Sequence, residues 1–588
     1  MVSKILKIKL IDLIVLIWFL FIAYCWIISY FNMFTVDIVR IASIPSFLLI
    51  IIFSVCKLFT FVKLLKTEKI EKFKLETVET KLITFITIAI ISAILLLQLV
   101  TIVKLPPTNW DSMTYHLAKI GFSLQYKSMI LPSGIPETRI YSSPWNSEIA
   151  NVAFFSAFNN DILVELPQLL AAIGIIYLLI NYIRPRKIWV SIIFFSIPIF
   201  VTQMVTTQND LIFFFLAVYV FTKFDDLTKN LNVTNVILFV VSCCLIIGTK
   251  VTGIPVIAVI VTVLSVNKLY CILKNKIKLV LPRRITLFKI SISLLVIIVL
   301  GLFAALPSYY YSKKYFNDYL YQPQSTAVKF SIGFNTVIEN IKHFGTIVIL
   351  PQYLYHGAYN HDTGVLGETF MLIFGTSIVL FLFSKKFRNK VSSNPLLQVS
   401  VVFLLVFITI HYPDDWDLRL IMFSFITLFF ILINLLIDFS PFLEKLLLGV
   451  VVLGSCLIIY TWAGFVVLQY LPYLDKSMTI ADYKRVDRAS LSALYNNIDF
   501  NNGKSHSILL IGSEDTWVYP YFNLNSLLPN TITYDKKYEK NKYDFIVLDQ
   551  MLYTKEINSE LLRCNTQIGA DGWTLIYARD NKECKVSI

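Results

Sequence analysis

Runs of about 20 apolar residues recur along this chain, and a helix of that length crosses a hydrocarbon core of roughly 30 Å. Hydrophobic residues make up 56% of the 588 residues, and charged residues only 15%. A soluble globular protein of this length needs far more charge on its surface. The sequence therefore predicts a mainly α-helical, multi-pass protein of the cell (inner or plasma) membrane.

Positive charge is concentrated in alternate short loops between these runs, at 63–81, 184–187, 268–284 and 385–390. The positive-inside rule places such loops in the cytoplasm, and about 13 spans with a cytoplasmic N-terminus satisfy it. The net charge of +14 therefore indicates orientation and contact with lipid headgroups, and no groove-binding pattern for nucleic acid accompanies it. The predicted spans lie at 11–30, 41–62, 82–103, 161–181, 188–205, 210–223, 233–249, 251–267, 288–308, 364–383, 396–412, 418–437 and 446–470.

This topology divides the chain into three regions. Residues 1–81 form two spans and a basic cytoplasmic loop, and 82–470 form a transmembrane catalytic region. The outer side receives two long loops, 104–160 and 309–362, and an extracytoplasmic C-terminal domain at 471–588. Because the inner loops are short and basic, we expect the chemistry on the outer side.

The first long outer loop contains two semi-apolar stretches with helical spacing, 112–126 and 145–158. Pro132, Gly134 and Pro136 separate them with a turn. Their amphipathic character predicts helices that lie flat on the membrane. The second long loop opens with the tyrosine-rich SYYYSKKYFNDYLYQPQ, which fits either an interfacial aromatic belt or a platform for stacking sugar rings.

The C-terminal region has the composition of a soluble domain. Its segments SILLIGS (507–513), YDFIVLDQ (543–550) and TLIYARD (574–580) predict buried strands with intervening helices. Together they indicate a small α/β domain of about 110 residues. Cys564 and Cys584 also lie here, and whether they form a disulfide stays open because spacing does not show geometry.

Asp111 is the strongest candidate for a chemical role. It follows the apolar run 82–103 and stands in the tract NWDSMTYHLAKIGFS, with His116 close along the chain. Acids at the end of a span are often only solvated. Here Trp110 and Tyr115 are expected to shield the carboxylate from water, which raises a carboxyl pKa and yields a usable base.

Other ionisable groups stand at the outer ends of different spans. Asp210 lies in TTQNDLIFFF, and Lys250 lies in IIGTKVTGIP, outside and against the positive-inside trend. Glu137 and Arg139 share the first loop, and Arg419 ends the turn YPDDWDLR, whose acids are interpreted as a solvated face. Ionisable groups at membrane depth are costly and tend to be functional.

Such a set suits a displacement at a lipid-linked sugar. Lys250, Arg139 or Arg419 would stabilise the negative charge that develops on a departing polyprenyl phosphate. Asp111 would accept the proton of the acceptor hydroxyl. A single displacement of this kind inverts the anomeric centre, and no motif for a covalent nucleophile is present.

This chain resembles the GT-C membrane glycosyltransferases in four features of its sequence. They are the tract WDSMTYH, the two following amphipathic stretches, TQNDL, and GTK between paired spans. Within these glycosyltransferases the sequence is most similar to bacterial relatives of the protein O-mannosyltransferases and to the lipid A aminoarabinose transferases, over about 82–266. The resemblance implies that Asp111 is the first-loop catalytic acid, Asp210 a second acid near the site and Lys250 a phosphate-binding lysine. The chain departs from the mannosyltransferases at Ser112, where an Asp-Glu pair is usual, and in having two spans, 11–30 and 41–62, before the span that leads into the catalytic loop.

The predicted activity is therefore transfer of a hexose or pentose from a polyprenyl-phosphate donor to an extracytoplasmic glycan, lipid or protein. His116, Tyr115 and Glu137 are predicted to help bind the substrate. A polymerase or ligase of lipid-linked glycans and a transporter or flippase are the alternatives. Metal-ligand atoms are present on Asp111, His116, Glu137 and Asp210, but these residues are not closely spaced along the sequence as metal ligands usually are. The sequence therefore predicts neither a metal nor another cofactor.

Overall fold

The computed structural model describes most of the helical region and parts of the C-terminal region. The described residues are 9–67, 78–104, 107, 110–135, 137–183, 188–274, 284–319, 335, 337–339, 342, 368–410, 417–470, 505–511, 518, 522, 530–534, 542–549, 561, 565–570 and 574–579. Cys564, Cys584 and the acids at 414 and 415 lie outside them. The prediction of a mainly helical membrane chain with a C-terminal sheet is confirmed.

The helical region has a long series of helices. In chain order they are α1 (Leu10–Tyr30), α2 (Val36–Thr67), α3 (Val78–Lys104), α4 (Leu117–Gln125), α5 (Arg139–Ser142), α6 (Asn146–Phe158), α7 (Leu166–Ile183), α8 (Pro198–Thr202), α9 (Asp210–Lys229), α10 (Val233–Ile247), α11 (Gly253–Leu273), α12 (Arg284–Ala305), α13 (Pro307–Phe316), α14 (Glu368–Phe383), α15 (Lys385–Ser392), α16 (Pro395–Ile410), α17 (Asp417–Ile437) and α18 (Pro441–Tyr470). A π-helical segment, Ser112–His116, precedes α4. Two 3₁₀ segments, Ile188–Ser196 and Gln203–Val205, flank α8.

Among the described residues, 6 helices are long and apolar enough to cross a membrane, and the count is 7 if the pair α15–α16, bent by 83°, forms one span. Such segments satisfy their own backbone hydrogen bonds, as the hydrocarbon core requires. Three further apolar stretches are shorter, at Val233–Ile247, Leu372–Phe383 and Ile421–Ile437. The long ones are Leu10–Tyr30, Val36–Lys57, Leu82–Lys104, Leu166–Ile183, Gly253–Leu273 and Pro441–Ala463.

One predicted span has a different structure. Residues 188–205 were predicted as a short span, either tilted or re-entrant, and they form the 3₁₀ segment Ile188–Ser196, a break at Ile197, and then the short α8. Pro198 lacks the N–H that an α-helix continuing through this point would need. The side chains described from 189 to 205 are buried. Their apolar character therefore reflects packing inside the protein.

Helix α9 is the centre of the helical region. Every residue from 201 to 221 is buried, and α9 packs against α7, α10, α11 and α17. A helix that is apolar on all sides is typical of such a core position. Near its C-terminal end Asp12 of α1 accepts hydrogen bonds from Tyr219 Oη at 2.8 Å and from Lys223 Nζ at 2.6 Å. This buried group ties α1 to α9.

The C-terminal region contains a five-stranded sheet of order β2-β1-β3-β5-β4. Strand β1 pairs in parallel with β2 and β3, while β5 pairs antiparallel with β3 and β4. The three predicted strands correspond to β1, β3 and β5, and the short β2 and β4 are additions. The strands are β1 (Ser507–Ile511), β2 (Thr531–Tyr534), β3 (Phe545–Asp549), β4 (Asn565–Ala570) and β5 (Thr574–Arg579).

The C-terminal region covers α4. The ring of Phe522 packs on Phe122 with centroids 4.8 Å apart, and a side chain at Gly121 would overlap it. The Gln125 side-chain amide exchanges two 2.9 Å hydrogen bonds with the backbone of Ile532 on the edge strand β2. Every residue from 116 to 123 is therefore buried. That this stretch lies flat on the membrane stays a prediction, and the structure shows that another part of the chain covers one of its sides.

Candidate active site

A local change of helix type positions Asp111. Leu117 N–H bonds the carbonyl of Ser112, five residues earlier, in the π-helical segment that follows Asp111. In an α-helix of 3.6 residues per turn, two residues five apart point about 140° away from each other. The wider π turn brings residues i and i+5 close to one face, and such turns are frequent at functional sites. Asp111 and His116 are therefore neighbours.

Asp111 is surrounded by donors from distant parts of the chain. Arg419 places both Nη1 and Nη2 at 3.1 Å from Asp111 Oδ2, and Gln208 Nε2 donates to the same oxygen at 3.0 Å. Arg139 Nη1 lies 3.5 Å from Oδ1. The carboxylate is buried, so these partners provide what water would supply outside. Arg419, at the start of α17, thus pairs with Asp111 of the first long loop.

The pKa of Asp111 moves in the direction opposite to expectation. Burial raises the pKa of this carboxyl, but the charges of Arg419, Arg139 and His116 and the hydrogen bond from Arg419 together hold it below its ordinary value. The expected raised pKa is therefore wrong for this state of the protein. The sequence predicted Arg139 and Arg419 as phosphate-binding groups of this site, but it did not predict their effect on the pKa of Asp111.

Arg139 is fixed by Glu137 and Tyr115. Its Nε and Nη2 donate to the two Glu137 carboxylate oxygens at 2.8 and 2.7 Å. The guanidinium carbon also lies 4.7 Å from the centre of the Tyr115 ring. Burial lowers the Arg139 pKa, and the hydrogen bonds and charge of Glu137 outweigh it, so the pKa is raised overall. Glu137 and Tyr115 thus orient the cation that faces Asp111.

The segment from 206 to 210 joins Asp111 to the second charged pair. Gln208 reaches Asp111, and two residues later Asp210 Oδ1 accepts from Lys250 Nζ at 2.6 Å. Between them Asn209 Nδ2 donates to the carbonyl of Thr249 at 3.1 Å. The structure thus brings the predicted groups Asp111, Asp210 and Lys250 into one neighbourhood. Gln208 escaped the sequence reasoning, since an uncharged amide gives no signal of its own.

A close backbone approach holds the turn that carries Lys250. Asn146 N–H donates to the carbonyl of Gly248 at 2.9 Å. Asn146 Nδ2 also donates to the carbonyls of Leu245 and Ala304, both at 3.0 Å. A Cβ at Gly248 would lie 1.9 Å from the Ala304 oxygen, so only glycine fits here.

A second buried charged group lies beside the first. His116 Nδ1 lies 2.8 Å from Glu148 Oε1 on α6, and Lys119 Nζ lies 3.6 Å from the same oxygen. Lys119 also donates to the carbonyl and hydroxyl oxygens of Ser143 at 2.7 and 2.8 Å. His116 Nδ1 therefore faces Glu148, and the expectation that His116 binds substrate stays a prediction.

The tyrosines at the start of the second long loop mostly fill the interior. Tyr309 Oη donates to the carbonyl of Ile247 at 2.8 Å, and Tyr311 stacks on Trp26 with ring centroids 6.1 Å apart. Tyr310 is 62% exposed. Of the five tyrosines described at the start of this loop, Tyr310 and Tyr319 are exposed and the other three take part in packing around the site.

No group of three histidine, cysteine, aspartate or glutamate side chains placed to hold a metal ion occurs within the described part of the chain. The absence of a cofactor stays a prediction.

The chain matches no family model and no curated protein. Two solved structures are similar to it, both of ArnT from Cupriavidus metallidurans. The apo state has a TM-score of 0.47 and 11% identity, over 84% of this chain and 97% of that one. The state bound to undecaprenyl phosphate has a TM-score of 0.49 and 10% identity, over 84% and 98%. ArnT is a lipid A aminoarabinose transferase of GT-C fold, the group that the sequence motifs resemble. Likeness at this level does not carry function, which has to be argued from the chain's own side chains.

Proposed function

We propose that this chain is a membrane glycosyltransferase that moves a sugar from a polyprenyl-phosphate donor to a hydroxyl acceptor. The proposal rests on the buried Asp111 carboxylate, which is held between Arg139 and Arg419. The segment from 206 to 210 joins this group to the Lys250–Asp210 pair. A carboxylate that can accept a hydroxyl proton and cations that can hold a phosphate thus meet at one place.

The cations suit a phosphate that leaves with its negative charge. A guanidinium group presents two parallel N–H donors that match two phosphate oxygens, and Lys250 adds a point charge. Negative charge grows on the bridging phosphate oxygen as the sugar departs, so cations already in place stabilise the transition state more than the bound donor. The site lies where apolar helices end, which lets the polyprenyl tail stay in the bilayer.

Asp111 has two states in this proposal: paired with its arginines, or released from them when a phosphate binds. Arg139 faces Glu137 and Asp111, Arg419 faces Asp111, and Lys250 faces Asp210, so each of these cations already faces a carboxylate. A donor phosphate must therefore compete with Asp111 for its arginines. When the phosphate takes them, the pKa of Asp111 rises and the carboxylate becomes a stronger base.

The reaction is then a single displacement. The acceptor oxygen forms a bond to the anomeric carbon, and the bond from that carbon to the phosphate oxygen breaks, with its electron pair staying on the phosphate. The hydroxyl proton goes to Asp111. The configuration at the anomeric carbon is inverted. Asp210 holds Lys250 in place for the phosphate.

The test compares the wild-type protein with Asp111→Asn in proteoliposomes supplied with a panel of labelled polyprenyl-phosphate hexoses and pentoses. Wild type is expected to release polyprenyl phosphate and to label an acceptor, and Asp111→Asn to lose at least about 100-fold, the usual scale for a lost general base. Asp37→Asn is the matched control, because Asp37 is an exposed acid that pairs with Arg40 at the start of α2.

Three results would contradict the proposal. Movement of the labelled lipid across the bilayer without cleavage would make the chain a flippase. Growth of a lipid-linked glycan chain would make it a polymerase. Failure of the wild-type protein to cleave any donor in the panel would remove the transferase assignment.

A further inference from the structure

Helix α9 begins at the site, and its own N-cap residue does not cap it. An asparagine at the N-cap usually accepts a hydrogen bond from the second or third N–H group of its helix. The Asn209 side chain makes no such bond and donates to the Thr249 carbonyl instead. The N–H groups of Leu211 and Ile212 therefore need another acceptor, because a buried donor without one is costly.

Gln168 of α7 supplies that acceptor. Its Oε1 accepts from Leu211 N–H at 3.1 Å and from Ile212 N–H at 3.2 Å. Gln168 is fully buried, so water does not compete for these two donors. Its Nε2 has no hydrogen-bond partner among the described residues. The acceptor oxygen is therefore the part of this amide that the structure uses.

Contacts further along the two helices explain why Gln168 reaches α9. A Cβ at Gly174 would lie 2.8 Å from the Phe215 ring, and the ring centroids of Tyr182 and Phe221 are 5.1 Å apart. The contacts advance together along both helices, so α7 and α9 lie side by side and run in the same direction. Their N-terminal ends therefore meet, and a side chain from the first turn of α7 can cap α9.

The capped turn is the part of α9 that holds Lys250. Asp210 is the first residue of α9 and accepts from Lys250 Nζ at 2.6 Å. Asn209 Nδ2 holds the carbonyl of Thr249, the chain neighbour of Lys250. Two consecutive residues thus fix the lysine through its ammonium group and through the adjacent backbone. The cap from Gln168 is what leaves the Asn209 side chain available for Thr249.

We infer that Gln168 is a positioning residue of the site, which caps α9 so that Asn209 and Asp210 hold Lys250 for the donor phosphate. This inference rests on the proposed glycosyl transfer. Gln168 acts through α9 and takes no part in bond making or proton transfer. Without its acceptor oxygen, Asn209 turns back to cap its own helix and releases Thr249.

The test measures lipid phosphate release by the full chain in proteoliposomes, with the donor that wild type cleaves. Gln168→Met keeps the length of the side chain and removes the acceptor oxygen. We expect kcat to fall by about tenfold with the donor KM within about threefold of wild type, because Lys250 acts most on the charge that grows as the phosphate departs.

Gln98→Met is the matched control. Gln98 is a buried glutamine of α3 whose amide has no hydrogen-bond partner in the part of the chain that the structure describes. Its replacement removes no such bond, so kcat should stay within about twofold of wild type.

A double-mutant cycle with Lys250→Met separates positioning from a general role in packing. If Gln168 acts through Lys250, adding Gln168→Met to Lys250→Met should lower kcat/KM by less than about twofold. Independent effects add, so a packing role alone gives about the same tenfold loss in both backgrounds. That second result would overturn the inference.

Two other substitutions at this position test the acceptor oxygen itself. Gln168→Glu offers an acceptor oxygen in either protonation state, so its kcat should lie within about threefold of wild type. A loss as large as that of Gln168→Met would contradict the capping role. Gln168→Asn keeps the amide on a shorter side chain that does not reach α9, and it should lose as much as Gln168→Met. It takes the place of Gln168→Met if thermal unfolding shows that the latter does not fold.

Failure of this inference is distinguishable from failure of the proposed function. If wild type cleaves no donor, the proposed function fails and the role of Gln168 in it fails too. If wild type cleaves a donor while Gln168→Met keeps kcat within about twofold, only the positioning role is overturned.

Discussion

The two ends of helix α9 each carry a buried ion pair, yet only one of them has the makings of a site. At the C-terminal end Lys223 and Tyr219 both point to Asp12, and the group joins two helices. At the N-terminal end Asp210 holds Lys250 at the same 2.6 Å, but this pair adjoins groups from several other parts of the chain.

The comparison teaches that a buried charge pair is not by itself a functional signal. Removing two ions from water is costly, and pairing compensates for that cost at either end. The two ends differ in how many side chains from separate parts of the chain meet there. Near Asp210 the side chains come from the first long loop, from the segment from 206 to 210 and from the start of α17, and they surround the Asp111 carboxylate. An ion pair that stabilises the fold needs only two side chains. A reaction between two substrates needs several groups at one place.

The largest expected effect concerns acid stability of the region around Asp111. The pKa values of Glu148 and Asp111 are lowered in the folded protein, to about 2 for Glu148, so their stabilisation is fully present above the unfolded pKa, near 4.5 for Glu148. It is lost as the pH falls toward the folded value. Between pH 4.5 and 2 we expect Glu148 to account for about 3 kcal/mol of the fall in unfolding free energy. Unfolding in nanodiscs across this range measures it.

Glu148→Gln should flatten that fall, and Asp37→Asn should leave it as in wild type. An unchanged fall in Glu148→Gln would mean that the cations near Glu148 do not hold it ionised, and the contrast between the two ends of α9 would lose its electrostatic basis.

The next effect separates the two lysines. We expect Lys250→Met to lower kcat/KM for the lipid donor by about 30-fold, because a cation facing a phosphate contributes on the order of 2 kcal/mol. Lys223→Met should keep kcat/KM within about twofold and lower the unfolding midpoint, since it leaves Asp12 buried with one partner fewer. Donor-cleavage kinetics and thermal unfolding of both variants check this. Equal loss of turnover in the two variants would erase the functional distinction between the ends.

The smallest effect is a gain. Because Asp111 competes with phosphate for Arg139 and Arg419, Asp111→Asn should bind polyprenyl phosphate about tenfold more tightly, or about 1.4 kcal/mol, while losing turnover. Binding of the lipid phosphate to purified protein in nanodiscs measures it. Weaker binding in Asp111→Asn would show that the carboxylate orients the arginines for phosphate and does not compete with it.

The sequence predicted the helical class, the C-terminal strands β1, β3 and β5, and a meeting of Asp111, Asp210 and Lys250. The helical class and the strands are confirmed, because apolar runs are local features, and the roles of Asp111, Asp210 and Lys250 stay predictions. The partners of Asp111 were harder to foresee. Arg419 stands 308 residues away, and the effect of its charge on the pKa of Asp111 depends on a contact that no local pattern encodes.

Other misses have the same cause. The broken segment at 188–205 is apolar because it is buried by other helices, which a hydropathy pattern cannot distinguish from contact with lipid. The contact of Phe522 with Phe122 joins residues 400 positions apart, so the sequence pattern did not show it. The strand β2 has only four residues, TITY, and gains its place from pairing with β1.

The contact between Gln125 and β2 has a consequence for how the protein matures. Ribosomes deliver the helix with Asp111 and His116 early, but the strand that caps Gln125, and the Val518 N–H that bonds the carbonyl of Met113 at 3.2 Å, emerge some 400 residues later. Newly inserted chains thus pass through an interval in which the helices are in the bilayer and the reactive groups are still uncovered. The cover over α4 is therefore completed only after β2 has been synthesised.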